Sequence, residues 1–165
     1  MDHLLSLIPF DNSLSFLIYL LELAGAFLVF TFVTYWTHRI AHCWKPLWYL
    51  HEAHHSVPYK GEYEFSLLNL VGWYNDWRST LDVWVTEVLP MAGLVLLWPA
   101  TWPLAVLFYI DNVLSEGLTD HNPRINIPGL AMGKYHIEHH KDMSVNFDGY
   151  FRLWDKVFGT QRNVV

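Results

Sequence analysis

A chain of 165 residues is long enough for one domain with a single core. Its 53% hydrophobic and 17% aromatic content sits beside a mean hydropathy of only +0.17, so the apolar residues must be gathered into segments. A net charge of −6 without any run of basic residues excludes a nucleic-acid face, and a single cysteine, Cys43, excludes an internal disulfide.

In chain order, the N-terminus lacks Lys or Arg and a small-residue cleavage site, so no signal peptide is expected. Residues 14–36 are apolar with Glu22 as the one charge, and they predict a helix over about 14–37, long enough to cross the roughly 30 Å hydrocarbon layer. Residues 65–77 are apolar and aromatic but too short to span, which predicts a helix lying along the headgroups or in the core of a cap. A second apolar region, about 81–98 and 101–119, is broken by Pro99 and Pro103 and reads as a helical hairpin with Trp98 and Trp102 at its tip. Its limbs carry Glu87, Asp111 and Glu116.

All ten Lys and Arg fall within residues 39–78 or 124–162. If the apolar segments cross a membrane, every basic residue lands on one side, as the positive-inside rule expects of the cytoplasm. The N-terminus, with Asp2 and Asp11, and the Trp98-Pro99 turn then face the other side. The fold class expected is therefore all-α. It is an integral membrane bundle of about three transmembrane helices, with a cytoplasmic helical cap formed by 38–78 and 120–165, in one domain over 1–165. The competing arrangement is a soluble bundle with buried apolar helices.

Of ten histidines, only His3 stands outside four groups. These are His38-Arg-Ile-Ala-His42, His51-Glu-Ala-His54-His55, the single His121, and His136-Ile-Glu-His139-His140. On a helix, positions i and i+4 lie about 40° apart and i+3 about 60° to the other side, so each motif aims its imidazoles from one face. A metal with imidazole donors takes about four to six ligands, so nine suit two ions better than one. Without metal, nine gathered rings would leave many N–H groups and lone pairs unsatisfied.

Alternative readings use fewer of these residues. His51-Glu52-Ala53-His54-His55 fits the zinc-protease pattern H-E-x-x-H with Glu52 as general base, but leaves seven clustered histidines without a task. Glu52 and His55 also form one Glu-x-x-His, the half-motif of carboxylate di-iron bundles, which need two copies. A non-catalytic metal-binding membrane protein would want its ligands along a transit path.

The order HxxxH, HxxHH, His, HxxHH resembles the fatty acid hydroxylase and sterol desaturase superfamily of membrane di-iron oxygenases. Asn146-Phe147-Asp148-Gly149 with Leu153-Trp154-Asp155-Lys156-Val157-Phe158-Gly159-Thr160 looks like the family's tail. Asp120-His121-Asn122-Pro123, followed by Pro128, is similar to its segment before the last box. The likeness runs from about residue 34 to 162. It departs in length, with one long helix before the first box where relatives usually have more, so the fold around the substrate is reduced or completed by oligomerisation.

The resemblance implies a membrane stem under a cytoplasmic cap and two iron ions, with zinc able to replace them in purified samples. It also implies O₂, an external electron donor of cytochrome, ferredoxin or rubredoxin type, and a lipid substrate. By position, His38, His42, His51, His54, His55, His121, His136, His139 and His140 would be the metal ligands. The reaction implied is hydroxylation or desaturation of an unactivated C–H bond in an acyl chain, sterol or carotenoid; residue types do not separate these. Glu116 and Asp120 are candidates to hold ring N–H groups. Glu22, Glu87 and Asp111, acids in apolar segments, are functional candidates by position.

Overall fold

The computed structural model of the chain describes residues 6–9, 12–56 and 66–163, and leaves out the side chains of 116 and 117. Asp2, His3, Asp11 and Phe65, and the side chain of Glu116, therefore lie outside the described residues. Those described form helices and turns without a strand; the one isolated bridge pairs Leu130 with Phe151.

Helix α1 (Ser13–Ala41) starts where Asn12 caps the amides of Leu14 and Ser15 and continues through the predicted span to the first histidine motif. After a short turn comes α2 (Lys45–His55), with proline in its first turn, where the missing amide costs nothing. Helix α3 (Trp77–Leu97) includes a π-helical stretch at Trp84–Val88. A 3₁₀ turn at Pro99–Thr101, between Trp98 and Trp102, joins it to α4 (Trp102–Leu118). The cap adds α5 (Lys134–Lys141) and α6 (Leu153–Phe158).

Helices α1 and α3 are long and apolar enough to cross a membrane, and only 22% of the most apolar window of each is buried. Leu14, Leu21, Leu96 and Leu97 are 65%, 66%, 81% and 89% exposed. A soluble bundle would turn such stripes inward, so this arrangement argues against buried helices. Helix α4 has 17 residues, about 25 Å at 1.5 Å per residue, and is shorter than either.

Two features depart from the sequence reading. In place of a helix over 65–77, the described part holds a 3₁₀ turn at Leu67–Val71. Gly72 ends it at φ 70°, a left-handed conformation suited to glycine, and Asn75 follows at φ 51°. The π-helical stretch has no evident sequence signature. It helps α1 dock on α3, because the Thr37 hydroxyl reaches the Thr86 carbonyl at 3.0 Å as well as Thr34 at 2.9 Å in its own helix.

Aromatic side chains join the stem to the cap. Tyr35 is fully buried, stacks on Phe158 and shares a 2.9 Å hydrogen bond with Thr160, while Trp154 donates to Thr31 at 3.1 Å.

Candidate metal centre

All nine clustered histidines face one another at the junction of α1, α2, α5 and the segment after α4, within the cap end of the bundle. They fall into two groups in which the potential ligand atoms lie within 4.8 Å of one another. One group is His38, His42, His51, His55 and His139; the other is His54, His121, His136 and His140. The groups adjoin, since the rings of His55 and His140 stack at 4.2 Å. His121 belongs to the second group, with its Nε2 3.1 Å from that of His136, and does not cap a helix.

Local sequence explains the convergence. Each HxxHH motif occupies one helix face, on α2 and on α5. Helix α5 begins at Gly133, whose φ of 65° lets Lys134 N–H reach the Ile125 carbonyl at 2.8 Å. A Cβ at this position would lie 2.2 Å from that carbonyl oxygen, so the entry into α5 requires glycine.

The nitrogen geometry tests whether metal ions fit. His38 Nδ1 donates to the Phe147 carbonyl and His139 Nδ1 to the Val145 carbonyl, both at 2.7 Å. Each ring then presents an Nε2 lone pair, and the two Nε2 atoms face each other at 3.0 Å. Similarly, the Nε2 atoms of His54, His136 and His140 form a triangle with sides of 3.2, 3.0 and 3.2 Å. One N–H per ring cannot satisfy such a triangle, whereas one cation accepts all three lone pairs. Nitrogens at right angles about 2.1 Å from a metal would be about 3.0 Å apart, against about 3.4 Å in a tetrahedron. The donor set and its spacing therefore fit imidazoles that share a metal ion.

Burial, and after it the mutual repulsion of neighbouring rings, lowers the basicity of the imidazoles outside the stem. His42 falls to about 3 and His55 to about 2, and His51, His136 and His139 lie well below the ordinary 6.5. Neutral rings with free lone pairs are the form that binds metal.

The carboxylate on a ligand ring is one that sequence reasoning missed. Asp82, buried in α3, accepts from His51 Nδ1 at 2.8 Å. An acid in an apolar helix was the available signal, but Asp82 sits at the border of the apolar segment. Asp120 lines the metal chamber with its histidines. Glu87 accepts from Asn112 at 3.0 Å, and Glu22 lines an outer pocket with Tyr19. Glu52, the base of the protease reading, points out to Arg78 at 3.2 Å with half its side chain exposed and does not line the chamber.

Comparisons with known proteins follow the same residues. The chain is 27% identical over 135 residues to methylsterol monooxygenase 1 of Gallus gallus, covering 79% of this chain and 43% of that protein. It is 28% identical over 130 residues to methylsterol monooxygenase 1 of Rattus norvegicus, covering 76% and 41%. It thus spans about two fifths of the length of these curated relatives. No solved structure matches. The fatty acid hydroxylase model matches residues 23–160, which include all nine clustered histidines and the Asp155 tail, and the chain belongs to the fatty acid hydroxylase family.

Proposed function

We propose that the protein is a membrane oxidoreductase that uses O₂ to hydroxylate or desaturate a lipid at a histidine-ligated pair of iron ions. The observation that carries this is the meeting of nine imidazoles in two adjoining groups beside an apolar groove. Two bound irons would supply the oxidising power for an unactivated C–H bond, which no side chain can provide. His38, His42, His51, His55 and His139 would hold one ion, and His54, His121, His136 and His140 the other. The protein's own contribution is orientation. Asp82, Phe147 and Val145 fix the ring tautomers of His51, His38 and His139 through Nδ1.

The names of the relatives put a sterol first among the candidate substrates. The hairpin forms two crossings and α1 a third, with the metal cap on the cytoplasmic side, in keeping with the basic residues at 39–78 and 124–162. The electron donor docks over a depression of about 220 Å³ lined by His42, Lys45 and Trp48, where a metal ligand comes close to the cap surface.

Metal analysis of detergent-purified protein tests this reading. About two irons per chain are expected, with sharp loss in His54→Ala and His139→Ala, and reductant-dependent O₂ uptake with lipid. A protein that binds metal but oxidises no lipid would overturn it. Cysteines placed before α1 and at the Trp98-Pro99 turn should label from the side of the membrane opposite the metal cap.

A further inference from the structure

The metal chamber and the apolar groove share two residues. The chamber, about 70 Å³, lies among His38, His51, His54 and His136. The groove, about 400 Å³, runs between α1 and α4 along Phe27, Phe30, Leu104, Leu107 and Phe108. Asp111 and Tyr150 belong to both walls. Leu104, Leu107, Phe108 and Asp111 follow i, i+3, i+4, i+7 spacing, so Asp111 takes the last place of an otherwise apolar stripe.

The two shared residues differ in their partners. Tyr150 lies beside the Glu87 carboxylate and is flanked by Phe27 and Phe30, with ring centroids 5.7 and 5.6 Å away. Asp111 is exposed into the groove and has no hydrogen-bond partner among the described residues. A carboxyl placed in an apolar groove of a membrane stem loses its water and gains nothing unless a ligand returns the hydrogen bond. A hydroxyl meets that need whether the carboxyl is ionised or not, because it both donates and accepts.

We propose that the groove takes a lipid alcohol, held by a hydrogen bond between its hydroxyl and Asp111, so that a carbon near the hydroxyl is presented to the chamber. The skeleton lies along Phe27, Phe30 and Phe108 and trails into the bilayer. This rests on the lipid-oxidation reading above and names the substrate class for it.

The test is equilibrium binding to the full chain in nanodiscs, using hexadecan-1-ol against hexadecane and cholesterol against its 3-deoxy counterpart. In at least one pair the alcohol should bind about tenfold more tightly, the weight of one hydrogen bond made out of water. Asp111→Asn should keep most of that preference, and Asp111→Leu with normal metal content should reduce it to within about twofold. A preference confined to one pair identifies the skeleton. Equal binding by the wild type in both pairs overturns the proposal, even should Asp111→Leu fail to fold, and so does an undiminished preference in Asp111→Leu. Oxidation separates the two readings. Preferential binding without oxidation of any lipid defeats the oxidase alone, whereas equal oxidation of alcohols and hydrocarbons defeats the Asp111 subsite alone.

Discussion

Asp155 and His38 hold opposite ends of one peptide group. The Phe147 carbonyl accepts from His38 Nδ1 at 2.7 Å, and the N–H of the same unit, on Asp148, donates to Asp155 Oδ2 at 2.8 Å. Asp155 also accepts from Phe147 N–H at 2.9 Å, Tyr135 at 2.9 Å and Thr160 at 2.6 Å, and it is fully buried. The family-like tail thus shapes the loop that orients a metal ligand.

Asp155→Asn should therefore disturb metal binding from outside the ligand set. One amide oxygen cannot replace two carboxylate oxygens serving four donors, so at least one buried donor loses its acceptor. A stability loss of about 3 kcal/mol is expected, with metal affinity reduced about tenfold through His38 and His139. Thermal unfolding and competition with a chelator would measure the two effects. Unchanged affinity would remove the loop from the metal site.

Asp82→Asn and Asp82→Leu separate charge from orientation at His51. Asparagine still offers a carbonyl to Nδ1–H and should weaken metal binding about tenfold, while leucine offers no acceptor and should weaken it about a hundredfold. Chelator competition again provides the readout. Equal effects of the two would show that geometry plays no part.

The sequence revealed the ligands better than their supports. Histidine spacing on a helix is a local property, so His51, His54 and His55 could be placed on one face before any tertiary contact was known. His121 has no helical partner in its own motif and is placed among the ligands by the family likeness; the fold brings it to His136 across 15 positions. The carbonyls of Val145 and Phe147 carry no side-chain signature, and Asp82 lies 31 positions from the ring it holds. Helix α1 followed its apolar run. The segment around 65–77 did not, because Gly72 and Asn75 adopt left-handed conformations that outweigh its apolar composition.

Gly133→Ala tests the entry to α5. The added Cβ would meet the Ile125 carbonyl oxygen at 2.2 Å, and a left-handed backbone strains any residue with a Cβ. Backbone relief would shift His136, His139 and His140 together. A loss of about 3 kcal/mol in stability is expected, along with lower metal content in both groups. Wild-type thermal stability and full metal content in this variant would contradict the geometry.

Acid should release the metals and loosen the cap together. His42 and His55 titrate near 3 and 2 when folded, with burial as the main cause, against an unfolded value of 6.5. Folded values below unfolded ones mean that the unfolded chain takes up protons first. The stability these groups contribute is complete above about pH 6.5 and is lost as pH falls toward 3. Bound metal competes with the same protons, so occupancy and melting temperature should fall in parallel below about pH 6.5. Replacing His42 by Gln, which does not titrate, should reduce the slope of the metal-free protein's melting temperature against pH. An unchanged slope would show that His42 is not buried neutral in the folded chain.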